Sequence, residues 1–153
     1  KEIKIKFMSE VIRIGIAKLH NQKIQAVNSI NVIAGKGIKG DRNFHENNDL
    51  RKQLSLIESE NIDYYNDKYN SKFPYLIFRR NLITKNIKLN DLVGKTFLIG
   101  KIKVKGNDLC RPCIELEKKI GAKNYLKEFL RKGGLRCEII ESGVISIGDK
   151  III

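Results

Sequence analysis

The sequence predicts a mainly β domain, a barrel or a sandwich, with a few helices. Three observations carry this. Apolar and β-branched residues recur in short runs. Isoleucine alternates with lysine, as in Lys4-Ile5-Lys6 and Lys101-Ile102-Lys103, the pattern of strands with one solvated face. Gly, Asn and Asp punctuate the runs. At 153 residues the chain reads as one domain over 1–153, long enough to bury roughly two-thirds of its unfolded surface without disulfide or metal staples.

Strands are expected at Ile3 to Phe7, Val11 to Leu19 and Lys23 to Val27, then at Leu54 to Ile57, Leu76 to Phe78 and Leu82 to Thr84. Thr96 to Ile99 and Ile102 to Lys105 form a hairpin, because glycine at the first loop position of Gly100-Lys101 suits a type II′ turn. Leu135 to Glu141, Val144 to Ser146 and Lys150 to Ile153 complete the set. The helices are Glu58 to Tyr69, with Ile62, Tyr65 and Tyr69 at helical spacing, and a pair around Gly121, Ile114 to Ile120 and Asn124 to Lys132, the second stopped by Gly133-Gly134. Ser55-x-x-Glu58 matches a capping box, but the Leu54/Leu56 alternation favours a strand through about Ile57. Tyr64, Tyr65 and Tyr69 read as side chains packing a helix against a sheet.

A net charge of +13 raises the question of nucleic acid, whose binding is dominated by phosphate contacts from Lys and Arg. The lysines are spread through every segment and alternate with isoleucine, so they read as solvated strand faces; no aromatic-interleaved RNA motif or helix-turn-helix pattern accompanies them. The charge suits a small anionic ligand. No run approaches the ~18 apolar residues of a membrane span. Three cysteines, with no apolar signal-type segment at the start, fit a reducing cytoplasm better than a disulfide framework.

The residues with most chemistry are Cys110-Arg111-Pro112-Cys113, at the junction of a strand-like and a helix-like run. A cysteine acts as nucleophile, sulfur carrier or metal ligand only as thiolate. Proline favours the first helical position, so Pro112 there would put Cys113 in the first turn, where free backbone N–H groups favour an anion, and Arg111 adds a permanent positive charge. A structural zinc site needs about four ligands, and Cys137, His20 and His45 are scattered singly. A thioredoxin-like pair needs a βαβ unit, whereas the upstream hairpin is antiparallel. The plain alternative is two ordinary reduced thiols, one of them buried.

The stretch from Ala34 to Asp49 reads as a loop whose Gly35-Lys36-Gly37-Ile38-Lys39-Gly40-Asp41-Arg42 could bring backbone N–H groups to an anion; it lacks the Gly-Lys-Ser/Thr of a phosphate-binding P-loop. His45 is read as a solvated loop histidine. In an alternating strand Arg79 and Asn81 would share one face and Arg80 the other; a guanidinium beside an amide can bind a phosphate and a heterocycle edge together, or the step is surface charge at a bend.

Taken in order, these elements resemble a MOSC domain, the family named for the carboxy-terminal domain of molybdenum cofactor sulfurases. The matching residues are Gly40-Asp41-Arg42, Gln53-Leu54-Ser55-Leu56-Ile57, Arg79-Arg80-Asn81-Leu82-Ile83-Thr84, Leu92-Val93-Gly94-Lys95-Thr96-Phe97-Leu98-Ile99-Gly100, the cysteine motif, Gly134-Leu135-Arg136 and Gly143-Val144-Ile145-Ser146-Ile147-Gly148-Asp149. The resemblance runs from about Val11 to the end and implies a MOSC-type β-barrel of the small stand-alone bacterial kind. The family's functional cysteine corresponds to Cys113, either a ligand to molybdenum held by a pterin dithiolene or a persulfide carrier; a soft thiolate suits that metal. Cys110 would resolve a persulfide or simply sit under the barrel, and Cys137 reads as a non-catalytic strand residue. Gly40, Asp41, Arg42, Arg79 and Asn81 match positions for an anionic molybdenum-pterin cofactor's phosphate, with Arg80 and Arg111 beside them. The implied function is cofactor binding and handling, with molybdenum-dependent reduction of N-hydroxylated compounds as the alternative. The implied partner is a cysteine desulfurase or an electron-donor protein. From another class, a basic β-barrel that binds nucleic acid without catalysis remains as a rival.

Overall fold

In the computed structural model, which describes residues 8–44 and 49–153, the alternating runs become strands that curl into a barrel. The strand expected at Ile3 to Phe7 and His45 lie outside the described residues. β1 (Glu10–Ile16), β2 (Gln25–Val27), β5 (Leu54–Glu58), β6 (Leu82–Lys85), β7 (Thr96–Ile99), β8 (Ile102–Leu109), β9 (Leu135–Ile139) and β11 (Ile151–Ile152) form one sheet in the order β11-β7-β8-β9-β5-β6-β1-β2. The sheet closes on itself where Val11 N–H donates to the Asp149 carbonyl at 3.0 Å, Gly148 N–H to Val11 at 2.8 Å and Ile151 N–H to Ser9 at 2.9 Å, with Glu10 bridged to Lys150. The Glu10 carboxylate clamps this seam, accepting from Lys85 Nζ at 3.0 Å and from Lys150 Nζ. A second sheet, β10-β3-β4, is built from β10 (Gly143–Ser146), β3 (Ser29–Ile33) and β4 (Gly37–Ile38).

β5 and β6 run parallel, with Leu56 opposite Leu82 and Ile57 opposite Ile83. Strands covered on both faces read as continuous apolar runs, and these two are covered by different cores. Leu56 and Leu82 point into an aliphatic barrel interior with Val11, Ile14, Ile99 and Val104. Ile57 and Ile83 point outward into a second cluster roofed by α1 (Ser59–Tyr69), α2 (Ile114–Ile120) and α3 (Tyr125–Glu128). That outer cluster is aromatic: Phe78 stacks on Phe129 at 5.0 Å and on Tyr125 at 5.9 Å, and Tyr65 lies 5.4 Å from Phe129. Within the tyrosine stripe Tyr65 is buried and Tyr69 half-buried, whereas Tyr64 is exposed, with Lys132 Nζ 4.8 Å from its ring centre.

Several boundaries differ from expectation. Leu76 to Phe78 is part of a 3-10 turn, Tyr75–Phe78, entered from Pro74; an apolar run this short has no period to separate turn from strand, and packing of Phe78 into the aromatic cluster decides. β3 occupies a stretch for which no element is expected, between the strand ending at Val27 and the loop from Ala34; its Ile30 and Val32 alternate inward and lie opposite Ile145 and Gly143 of β10. β4 interrupts the expected loop. β1 stops at Ile16 and β9 at Ile139, short of Leu19 and Glu141. The third helix is one turn, with Asn124 at φ +58° before it, while the hairpin turn has Gly100 at φ +59° and Lys101 outside the positive-φ region, as a type II′ turn requires. Among the described residues no helix is long and apolar enough to cross a membrane.

Candidate functional site

Three chain segments meet at one side of the barrel. The first is the turn after β4, held by Asp41, a carboxylate only 6% exposed. Asp41 Oδ1 accepts from Ala17 N–H at 3.0 Å and from Arg42 Nη1 at 3.2 Å, and Oδ2 accepts from Asn43 N–H at 3.2 Å. The turn is thereby stitched to the end of β1, and it presents Arg42 and Asn43. Gly40 supplies φ +85°, and a side chain there would meet nothing within 4 Å.

The second segment is Arg79-Arg80-Asn81. Strand alternation does not apply here, because Arg79 ends the 3-10 turn in the left-handed region at φ +65°, and all three residues line the same cleft. A non-glycine residue held there costs on the order of 1 kcal/mol and persists only where its surroundings impose it. The imposed partners are the carbonyls of Gln22 and His20, to which Arg79 donates at 2.8 and 2.9 Å. Burial first, and then the charge of Arg42, lower the Arg79 proton affinity, with Asp41 opposing. Asn81 is a spacer in the frame: its Oδ1 accepts from the N–H and the hydroxyl of Ser55, both at 3.1 Å, and its amide donates to Gly15 at 3.2 Å, tying β5 to β1.

The third segment carries the cysteines. β8 ends at Leu109, Cys110 N–H donates to the Gly134 carbonyl at 2.8 Å, and Arg80 Nε donates to Gly133 at 2.8 Å. A Cβ on Gly133 would sit 2.7 Å from the Cys110 carbonyl oxygen and 3.7 Å from Arg80 Nη2. The Gly133-Gly134 pair therefore does more than stop a helix: it lets the arginine step and the cysteine segment approach each other. Cys110 lines the cleft and is only 6% exposed; burial pushes its thiol up, Arg80 and Arg136 pull it back, and Asp108 pushes it up again. Cys113 is exposed and stands two positions earlier in the helix than Pro112 at the first helical position would put it. It is the N-cap of α2, and Leu116 N–H donates to its sulfur at 3.4 Å. Cys137 is fully buried in the barrel interior, where burial pushes its thiol well above the ordinary range.

The cleft between these segments has a volume of about 180 Å³, room for about six waters at liquid density and less than the roughly 300–1,000 Å³ that encloses a whole small molecule. Arg42, Arg79, Arg80 and Arg111 line it, as do Arg51, Lys52 and Arg136, and no carboxylate does so among the described residues. Sequence reasoning had not singled out the last three as ligands, although Arg51-Lys52 directly precede Gln53-Leu54 and Arg136 ends Gly134-Leu135-Arg136, both flagged runs. Gly40, Asp41 and Cys113 are not among the lining residues. Seven cationic side chains line this small space, two of them ion-paired from outside the lining (Arg42 with Asp41, Arg136 with Asp108), and the electropositive field that remains favours an anion.

No curated protein is significantly similar in sequence. Among solved structures, the YuaD protein of Bacillus subtilis superposes with a TM-score of 0.82 at 17% identity, covering 95% of this chain and 94% of that one. YiiM of Geobacillus stearothermophilus gives 0.76 at 17% identity, covering 94% of this chain and 74% of that one. YiiM of Escherichia coli gives 0.67 at 17% identity, with 92% and 69% covered. The likeness is one of fold. The MOSC domain family model matches residues 39–152, from the turn that presents Arg42 to the strand that closes the barrel, and the chain belongs to the MOSC domain family.

Proposed function

We propose that this MOSC protein binds and handles a molybdenum-pterin cofactor, seating the cofactor's phosphate end in the cationic cleft and using Cys113 as a metal ligand or persulfide carrier. The observation that carries this reading is the convergence of six arginines and a lysine on a cleft with no lining carboxylate among the described residues. Its volume suits a phosphate group, so the remainder of the ligand would extend over the open surface toward Cys113. The donor set fits as well. No group of three or more His, Cys, Asp or Glu among the described residues could hold a bare metal ion, so the protein offers one exposed thiol and the remaining soft donors must come with the pterin. When bound, the metal supplies the redox chemistry; the chain's own residues bind the anionic end, orient it against the rigid Arg79-Arg80 step, and present the Cys113 sulfur. A cysteine desulfurase or an electron-donor protein is the proposed partner.

The test is native mass and elemental analysis of protein purified from molybdenum-replete cells, with fluorescence of the oxidised pterin. Wild type is expected to carry pterin together with metal or a sulfur adduct, and Cys113→Ser to lose the metal or the adduct. Metal retained at wild-type level in Cys113→Ser would end the ligand role. Binding to RNA or DNA that falls steeply with salt and ignores Cys113→Ser would favour the nucleic-acid reading instead.

A further inference from the structure

The guanidinium groups of the cleft are not all held in the same way. Arg79 and Arg80 donate to backbone carbonyls, of Gln22, His20 and Gly133, and to no carboxylate among the described residues. Arg42 leans on Asp41, but that carboxylate is itself committed to two backbone N–H groups. Arg136 is different. Asp108 grips it through both oxygens, Nε to Oδ1 at 3.0 Å and Nη2 to Oδ2 at 2.5 Å, the same two-pronged geometry that a phosphate would adopt.

A defect in the sheet creates this pair. Along β8 and β9 Gly106 lies opposite Cys137, so an unbroken ladder would set Asn107 opposite Arg136; the register slips by one between Gly106 and Asp108, and Asp108 takes that place. A bulge of this kind re-aims a side chain and is over-represented next to binding sites. Here it exchanges a neutral amide for a carboxylate beside a cleft arginine. Stability does not explain the exchange, because the side chains are 31% and 52% exposed, and ion pairs so open to water contribute little.

We propose that Asp108 sets the selectivity of the cleft, acting as a built-in competitor that occupies the Arg136 fork until a doubly charged phosphate monoester takes its place. This rests on reading the cleft as the seat of the cofactor's phosphate. It names Asp108 as the residue that moderates affinity and Arg136 as the one that changes partner. A positioning role for Asp108 without competition would make its removal weaken anion binding; competition makes removal strengthen it.

The experiment is calorimetric titration of the whole chain with inorganic phosphate at low salt and neutral pH, in wild type, Asp108→Asn, Arg136→Gln and the double variant, with thermal melts confirming that each is folded. Asp108→Asn is expected to tighten phosphate binding by about 3- to 30-fold where Arg136 is present, consistent with one relieved charge pair near a protein surface. In the Arg136→Gln background the same change is expected to gain less than about twofold. Equal gains in both backgrounds, or an Asp108→Asn protein that binds no tighter than wild type, would overturn the competitor role while leaving the cofactor reading standing. Absence of phosphate binding in every variant would overturn it too. The expected gain in protein that never retains pterin would support the competitor role and count against the cofactor reading alone.

Discussion

Inside the barrel the buried apolar side chains are aliphatic apart from Phe97 and Cys137, drawn from strands that lie far apart in the sequence; outside it, four buried rings, Tyr65, Phe78, Tyr125 and Phe129, roof the parallel β5–β6 pair. The two cores differ in what hangs from them. Barrel residues such as Ile99 and Val104 set the frame and are not themselves among the cleft's lining residues, which the barrel cluster reaches only at Leu54. Phe78 immediately precedes Arg79-Arg80, and Tyr125 and Phe129 follow the helix that Cys113 caps, so the 5.0 and 5.9 Å ring contacts of Phe78 bind the anion-facing segment to the thiol-bearing one. Aromatic pairs have preferred relative orientations, which makes the outer cluster a device for setting position as well as for burying area.

The largest effect should come from breaking both cores at once. Gly134 stands at φ +113° with the Leu56 carbonyl oxygen 2.1 Å from where a Cβ would be, so Gly134→Ala combines backbone strain with a clash against backbone. Its expected cost exceeds about 4 kcal/mol, read as failure to fold or as a much lower urea midpoint; a midpoint near wild type would show that β5 and β9 can part freely.

Next comes a matched pair. Ile99→Ala in the barrel should cost about 2–5 kcal/mol and Phe78→Ala in the aromatic layer about 3–5 kcal/mol, both measured by urea unfolding. The distinction lies in phosphate binding by the folded fraction: Phe78→Ala should weaken it by about tenfold or more, on the order of 1.4 kcal/mol, while Ile99→Ala should leave it unchanged. Equal effects would erase the division of labour.

This division also governs what could be read from sequence. The strand over Leu54 to Ile57, the hairpin at Gly100-Lys101 and the helix at Ile114 to Ile120 are visible because alternation, turn chemistry and flanking glycine agree locally. Phe78 misleads because its conformation answers to Tyr125 and Phe129, about fifty residues later. Arg136 escapes notice for the same reason: on its strand it is one more solvated cation, and only the sheet order sets it beside Arg79 and Arg80. The β8 bulge that supplies its carboxylate leaves no local signature. Residue types at the site were legible, and their convergence was not.

The smallest effect concerns the barrel seam. Lys150 and Lys85 hold the Glu10 carboxyl below its ordinary value of 4.5. A group whose folded pKa is depressed adds stability above its unfolded value and loses it as pH falls through the folded one. Melting temperature should therefore decline on acidification below pH 4.5 partly through Glu10, and Glu10→Gln should make that decline shallower by a small amount, since the carboxylate is solvent-accessible and salt-screened. An unchanged slope would show that backbone hydrogen bonds alone hold the seam.

That seam has a consequence for biosynthesis. Within this domain β1 is synthesised before the other described strands, but one of its flanks must wait for residues 148–151, more than 130 positions downstream. During that interval a nascent chain presents an unsatisfied strand border to its surroundings. The domain thus comes together by a late zippering step, once its own last strands have been made, and a chaperone that shields the waiting border would have the most to do before that step.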